Sequence, residues 1–358
     1  MLIKLEHKPR LYNEVTKILK QGGIVVLPTD TIYGFAVDGT NVRAVERLRE
    51  VKGRGQKPFT FFLSRNRIAE YARIVKRKII EYFIPGPLTV ILRKHPEKSL
   101  PFVEDKIGLR IPHTDFVIQL LSRYEAPLAV TSANYSGDSP INSASEIAER
   151  FPEVELVLDG GALSSRPSTV IDLTATPPVV KRKGVIPVLE IEKVHGGIVQ
   201  LAEGLKFNVL FVCSGNTCRS PMAEALLKTM VSEEYCTVQS AGILPTQGMA
   251  ASQYSREVVE EFGGSLEKHR SRQITDSLIE WADIIFVMGY KHYDHILDIS
   301  PSAAVKTFLL KEYKRRVKYN EISDPVGRDR SAYEAAVRDM LPSLKLIARD
   351  IKRRFRSI

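Results

Sequence analysis

Cysteine and tryptophan are scarce in this chain of 358 residues, which has three of the first and one of the second. An odd cysteine count, with Cys213 and Cys218 in one short loop, excludes a disulfide framework and points to reactive or buried thiols in a reducing compartment. Long hydrophobic runs are missing as well. No stretch approaches the roughly 20 apolar residues that cross a bilayer, so no membrane partner is expected. Residues 1–10 lack the charged start, apolar stretch and small-residue cleavage site of a secretory signal, and the expected location is cytoplasmic. There is no internal repeat and no low-complexity segment.

Acidic residues are outnumbered, 42 Asp and Glu against 52 Lys and Arg, for a net charge of +10. That excess fits anionic ligands such as nucleotides, phosphorylated side chains or RNA, and equally a plain solvated surface, so charge alone does not choose. A hydrophobic share of 44% is enough for sizeable cores. At roughly 150 residues per domain the length suggests two domains.

The two halves differ in texture. Up to about Gly184 short β-rich runs dominate: "IVVLP" (24–28), "PLTVILR" (87–93), "GLRIP" (108–112), "PLAVTS" (127–132), "VELVL" (154–158), "STVIDL" (168–173) and "PVVKR" (178–182). Turns and a few helical stretches join them, a mixed α/β pattern. From Phe207 strand and helix alternate through "NVLFV", "CTVQS", "DIIFVM" and "VKTFLL", closing on a helix over 333–354. Such alternation predicts a parallel sheet covered by helices on both faces. The expected domains are residues 1–190 and 207–358, with a linker at 191–206.

The stretch "FNVLFVCSGNTCRSPMAEALL" (207–227) carries the most chemistry. A strand ending at Val212 and a helix starting near Arg219 leave 213–218 as a loop whose backbone N–H groups can surround a phosphate. Gly215 is expected to supply the unusual dihedrals of such a nest. The helix N-terminus favours a thiolate, which makes Cys213 a candidate nucleophile. Arg219 is a candidate bidentate clamp for phosphate oxygens. A buried, inert cysteine is the bland reading of Cys213 by residue type alone. Cys236, in a strand, reads as core.

The whole string "VCSGNTCRSPMAE" resembles the low-molecular-weight phosphatase family. The resemblance continues through "QSAGI" (239–243), "HRSRQIT" (269–275), "ADIIFVM" (282–288) and "SDP" (323–325), covering nearly all of 207–354. It implies a doubly wound four-stranded parallel sheet and a cysteine-dependent protein phosphatase. Cys213 would be the nucleophile, Arg219 the phosphate binder and Asp324 the general acid. Ser214, Gly215, Asn216, Thr217 and Cys218 would form the phosphate loop, with Asn216 holding its shape and Ser220 donating a hydrogen bond to the thiolate. Cys218 is either a core thiol or a reversible disulfide partner of Cys213. Ser214 and Thr217 stand where tyrosine-directed members carry bulky aliphatic residues, and Val326 where they carry an aromatic ring. With "FLLKEY" (308–313), these features resemble the protein-arginine phosphatase branch.

In the first half, polar and basic groups cluster where apolar elements end. Thr29, Asp30, Thr31 and Tyr33 follow a strand. Lys52 and Arg54 follow a helix marked by Val42, Val45, Leu48 and Val51, and Ser132 and Asn134 follow another strand. Hydroxyls, an amide and cations converging on one cavity suit a polyphosphate with a small polar co-substrate. Taken singly, Lys52 and Arg54 could only complement a helix C-terminus, and "SAN" could be a turn.

In order, "GGIVVLPTDTIYGF" (22–35), "KGRGQKP" (52–58), "PGPLTVIL" (85–92), "GLRIPHTD" (108–115), "VTSANYSG" (130–137) and "STVID" (168–172) resemble the YrdC-like threonylcarbamoyl-AMP synthases over about residues 10–190. The resemblance implies a mixed α/β domain that joins L-threonine, bicarbonate and ATP, with Mg2+ escorting the triphosphate and no metal site of the protein's own. The product would serve tRNA modification, with tRNA or its modification proteins as partners. Thr31, Arg110, Thr131 and Ser168 would face the threonine. Lys52, Arg54, Ser132, Asn134 and Arg182 would face the ATP. Gly55 stands where the family has a proline, in a loop one residue shorter. Beside a bifunctional enzyme stands a second reading, a phosphotyrosine phosphatase fused to a nucleotide- or RNA-binding module without turnover.

Overall fold

The computed structural model describes every residue except Gln56, Ser164, Ser165, Pro245, Thr246, Arg315, Arg316 and residues 356–358. The chain forms two compact units, Met1–Ile186 and Pro187–Ile358.

The first unit runs β1 (Leu2–Lys4), α1 (Pro9–Lys20), β2 (Val25–Leu27), β3 (Gly34–Asp38), α2 (Val42–Lys52), β4 (Thr60–Phe62), α3 (Ile68–Tyr71), α4 (Arg77–Phe83) and β5 (Leu88–Arg93). It continues with β6 (Lys106–Arg110), α5 (Asp115–Arg123), β7 (Leu128–Ser132), α6 (Ala144–Arg150), β8 (Leu156–Asp159), β9 (Thr169–Asp172) and β10 (Val179–Arg182). Within the unit the strands lie in the order β1-β8-β2-β3-β7-β4-β6-β5-β9-β10. Strand β8 pairs in parallel with β1 and β2, as do β4 with β6 and β5 with β9, and the remaining neighbours are antiparallel. The sheet is mixed, and each of the seven runs read from the sequence is one of its strands. Strand β3 is buried along nearly its whole length, so it carries no polar alternation by which to be found.

Two local devices place the cleft residues of this unit. Strands β3 and β7 pair with Gly34 opposite Ser132, which brings the start of one and the end of the other to the same edge. Helix α2 starts where the Asn41 side chain accepts from the Ala44 N–H and stops at Gly53, whose φ of 60° is left-handed. This stop turns the chain between Lys52 and Arg54. The buried face of α2 differs from the expected one. Val42 is half exposed, and Lys52 is buried alongside Val45 and Leu48 because its ammonium finds carbonyl partners across the fold.

The second unit runs α7 (Val188–His195), β11 (Gln200–Leu201), β12 (Phe207–Cys213), α8 (Arg219–Met230), β13 (Cys236–Gly242), α9 (Gln253–Glu260), α10 (Asp276–Trp281), β14 (Ile284–Val287), α11 (Tyr290–Ile299), β15 (Thr307–Leu309) and α12 (Arg330–Phe355). Strands β13-β12-β14-β15 form a parallel sheet. Leu210, Val212, Ile285 and Val287 share a core with Ile279 of α10 and Ile296 of α11, while α8 and α12 pack together on the other side. The sheet is doubly wound. The chain leaves β12 for β13 on one side and returns to β14 on the other, so strand order reverses at the carboxyl end of β12, where Cys213 stands.

Residues 191–206 hold the end of α7 and strand β11, and α7 is tied into the second unit. Glu192 Oε2 accepts from Arg354 Nη2 of α12 at 2.8 Å, and Glu192 Oε1 accepts from the Val199 N–H at 3.2 Å. Arg354 is 1% exposed. Removing one partner of such a buried pair leaves the other charge uncompensated. Glu192→Ala is therefore expected to destabilise the second unit by about 3–5 kcal/mol, with Glu192→Gln losing less. Trp281, the sole tryptophan, lies in this unit, and its fluorescence during urea unfolding of the full chain reads the shift; an unmoved midpoint for Glu192→Ala would refute the anchoring role.

Candidate active sites

In the first unit the turn after β2 is built on Thr29. Its Oγ1 accepts from the N–H groups of Thr31 and Ile32 at 3.2 Å and donates to the Ile32 carbonyl at 2.7 Å. Above the turn opens a cleft lined by Arg54, Arg110, Thr131, Ser132, Ser168 and Arg182 among others.

The basic groups of the cleft are held by oxygen atoms of the protein. Arg54 Nη1 donates to Thr131 Oγ1 at 3.0 Å, and its Nε donates to the Lys57 carbonyl at 3.1 Å. Arg182 Nη2 donates to Ser168 Oγ at 3.0 Å, and Ser168 Oγ lies 2.9 Å from Thr89 Oγ1. Arg110 forms an ion pair with Asp30 and donates from Nε to the Gly86 carbonyl at 3.3 Å. Burial pushes Arg54 down to about 10, with Arg49 and Arg182 adding repulsion. It pushes Arg110 and Arg182 down as well, Asp30 partly offsetting the effect at Arg110. All three stay charged at neutral pH.

Three residues assigned to the ligands stand behind this lining. Thr31 is wholly buried, with Oγ1 3.0 Å from Thr29 Oγ1. Lys52 Nζ donates to the carbonyls of Ser132 at 2.6 Å and Asn134 at 2.7 Å, with Ser132 Oγ at 3.1 Å and Asn134 Oδ1 at 3.2 Å. Burial, then the neighbouring Arg54 and Lys57, pushes Lys52 down to about 7. The Asn134 amide donates to the Tyr135 and Asp138 carbonyls, both at 2.8 Å. Lys52 and Asn134 thus fix the shape of the segment that carries Ser132.

In the second unit the loop after β12 gathers all of its expected members. Cys213 Sγ lies 3.0 Å from Ser220 Oγ, and that hydroxyl also lies 3.2 Å from the Ala241 carbonyl. Arg219 donates from Nη1 to the Ile322 carbonyl at 3.2 Å and from Nη2 to Ser214 Oγ at 3.3 Å, and it pairs with the exposed Asp324. Asp324 Oδ1 also accepts from the Val326 N–H at 3.2 Å. Thr217 is half-buried at the rim, and Cys218 Sγ lies 3.4 Å from Ser252 Oγ and 3.7 Å from Tyr333 Oη. The three cysteines are free, and Cys236 is buried in β13.

The left-handed turn of this loop sits on Asn216, with φ of 53°, not on Gly215. Asparagine tolerates that region when its side chain finds local partners. Here Asn216 Nδ2 donates to Ser220 Oγ at 2.9 Å and Ser240 Oγ at 2.8 Å, while Oδ1 accepts from the Arg272 N–H at 3.0 Å. The glycine that the loop requires is Gly242 of the neighbouring strand. A β-carbon there would lie 2.6 Å from the Ser214 carbonyl.

Sequence reasoning missed several supports. Asp30 and Thr89 hold cleft residues, Ser240 and Arg272 hold Asn216, and His292 Nε2 lies 3.1 Å from Ser214 Oγ. Burial, then Arg219 and Lys291, pushes His292 down to about 4, so it is neutral beside the loop. Ser240 and Arg272 lie inside the quoted strings "QSAGI" and "HRSRQIT", which was a usable signal. Asp30 was legible only as one of the polar groups that follow a strand, without its partner Arg110, and His292 had no signal, because both partners are far away in sequence.

Comparisons with known proteins agree with this division. The Sua5/YciO/YrdC family profile, described as telomere recombination, matches residues 17–184, and that of low molecular weight phosphotyrosine protein phosphatase matches residues 208–356. The chain is 35% identical over 195 residues to the threonylcarbamoyl-AMP synthase of Pyrococcus abyssi, covering 50% of this chain and 56% of that one, little more than half the relative's length. To the protein of Methanocaldococcus jannaschii that provisionally carries the same name it is 34% identical over 194 residues, 52% of this chain and 92% of the other. To the protein-arginine-phosphatase of Geobacillus stearothermophilus it is 40% identical over 142 residues, 39% of this chain and 92% of the other. The crystal structure of P. abyssi Sua5 complexed with L-threonine matches 96% of this chain and 97% of that one with a TM-score of 0.53 at 21% identity, a likeness of fold. The chain therefore belongs to two families, to the Sua5/YciO/YrdC family through residues 17–184 and to the low-molecular-weight phosphotyrosine protein phosphatases through residues 208–356.

Proposed function

We propose that this chain is a bifunctional enzyme, a threonylcarbamoyl-AMP synthase in its first unit and a protein-arginine phosphatase in its second. The observation that carries the first half is the cleft itself, where three guanidinium groups stand beside several hydroxyls and one carboxylate. The reaction joins the threonine amine to bicarbonate as a carbamate, whose carboxylate attacks the α-phosphorus of ATP. Threonylcarbamoyl-AMP, pyrophosphate and water result. Arg54 and Arg182 would take phosphate oxygens by charge-assisted hydrogen bonds, with Lys52 adding positive charge from beneath. Arg110, backed by Asp30, would take the threonine carboxylate. Magnesium belongs to the substrate as the ATP complex. The product's use would be tRNA modification.

This reading is tested by pyrophosphate release from ATP by the full chain. Release is expected only with threonine and bicarbonate both present, and Lys52→Ala or Asn134→Ala should lower it by about tenfold or more through loss of the Ser132 segment's shape. Equal release without threonine would refute the synthase, and nucleotide binding without turnover would favour the binding-module reading.

The second half rests on Cys213, Arg219 and Asp324 meeting at one loop. Cys213 would attack phosphorus, Asp324 would protonate the departing group, and water would then hydrolyse the phosphocysteine. The Ser220 hydroxyl has one proton and two acceptors within reach, and it can donate to Cys213 when the thiolate forms. Arginine specificity is supported by the small polar rim at Ser214 and Thr217, by Val326 beside the general acid, and by the similarity to a protein-arginine-phosphatase. A polar rim suits a planar guanidinium and withholds part of the apolar wall a phenyl ring would use. The wild type is expected to show a higher kcat/KM on phosphoarginine than on phosphotyrosine, and Thr217→Ile should shift the ratio toward phosphotyrosine by about tenfold. A wild type that prefers phosphotyrosine, or a ratio unmoved by Thr217→Ile, would overturn the arginine assignment.

A further inference from the structure

The segment carrying Asp324 is pinned to the start of α11 by a carboxylate distant in sequence. Glu321 Oε1 accepts from the Tyr290 N–H at 2.6 Å. Tyr290 is the first residue of α11, whose leading N–H groups have no partner within the helix, and the residue before it, Gly289, has no side chain to cap them. The cap comes instead from Glu321, with its negative charge at the positive end of the helix dipole. Gly289 leaves room for it, since a β-carbon there would lie 2.4 Å from Glu321 Oε1. The next residue continues the attachment. The Ile322 N–H donates to the Met288 carbonyl at 2.9 Å, and the Ile322 carbonyl accepts from Arg219 Nη1 at 3.2 Å. One residue earlier, Asn320 Nδ2 donates to Tyr290 Oη at 2.5 Å.

We infer that Glu321 is a positioning residue for the proposed general acid: by capping α11 it fixes the start of the segment that presents Asp324 beside Cys213 and Arg219. Two links join the groups. Glu321 holds Ile322 against the end of β14, and Asp324 follows two residues later, exposed and free to exchange partners. Glu321 touches neither Cys213 nor the phosphate loop, but the helix it caps carries His292 beside Ser214 and the segment it holds presents the Ile322 carbonyl to Arg219, so the leaving-group dependence below is what separates an effect on Asp324 from one on the loop. The inference rests on the phosphatase reading above.

A general acid matters little when the leaving group departs readily and greatly when it does not. The experiment measures kcat/KM on aryl phosphates from p-nitrophenyl to phenyl, for wild type, Asp324→Asn, Glu321→Ala and Glu321→Gln. Wild type should depend weakly on leaving-group pKa and Asp324→Asn steeply. Glu321→Ala is expected to stay within about twofold of wild type on p-nitrophenyl phosphate and to fall by about tenfold or more on phenyl phosphate. Glu321→Gln keeps an oxygen acceptor for the Tyr290 N–H and should recover most of the loss. A fall of the same factor for every leaving group, or no fall at all, would overturn the positioning role, since mere loosening of the fold lowers all substrates alike. Failure of the phosphatase reading shows separately: wild type would then hydrolyse none of the series, or Cys213→Ser would hydrolyse it as well as wild type.

Discussion

Positive charge buried without full neutralisation is the constraint around which each unit is arranged. In the first, burial pushes Lys52, Arg54, Arg110 and Arg182 all down from their ordinary values, with Asp30 offsetting part of this at Arg110 and Asp138 part of it at Lys52. Four cations with so little counter-charge destabilise the fold locally, and the protein answers with oxygen dipoles: the carbonyls of Ser132, Asn134, Ser168 and Gly86 and the hydroxyls of Thr131 and Ser168. Dipoles stabilise a cation without cancelling its field. The remaining field is strongest toward an anion entering the cleft, where little water screens it. The proposed site for polyanions and a locally strained balance of charge would be the same feature seen from two sides.

Lys52 shows how finely this balance is set. Held near 7, it is only partly charged at neutral pH. An anion brought into the cleft favours its charged form, so binding would draw a proton onto Lys52 and tighten its hold on Ser132 and Asn134. The shape of the segment bearing Ser132 and the charge of the cleft would then be coupled through one ammonium group that does not line the cleft.

Motif and strand were legible in the sequence to the extent that their causes are local. The string around Cys213 fixes a strand, a loop and a helix start, and the seven β-rich runs of the first half became strands because short apolar stretches bounded by turns have few other solutions. What stayed hidden depends on contacts between distant residues. Strand β3 is buried on both faces and has no alternation to betray it. Val42 and Lys52 exchange their expected exposures because two carbonyls from the end of β7 and its following turn reach the ammonium. Gly215 looked like the flexible member of the loop, yet the left-handed residue is Asn216, whose partners Ser240 and Arg272 come from other elements. A glycine in a sequence advertises freedom of dihedral, whereas Gly242 is used for closeness, and only the packed structure separates the two uses.

In the second unit the buried cation is Arg219, and its pairing with Asp324 becomes a means of exchange. The Arg219 guanidinium divides its donors among the Ile322 carbonyl, the Ser214 hydroxyl and the Asp324 carboxylate. The first of these is buried backbone and cannot leave. The other two are side chains, and a phosphate dianion arriving at Cys213 would compete for the same donors with more charge and better fork geometry. Asp324 would be released by that competition, but not far, because its other oxygen is held by the Val326 N–H and its segment by Ile322. The carboxylate would then stand beside the bound phosphate's leaving group at the moment the guanidinium turns to the phosphate. On the proposed reading, binding of the phosphate and release of Asp324 would be two halves of one exchange at Arg219, and the exposed carboxylate, once out of the ion pair, would take up from water the proton that it then delivers to the leaving group.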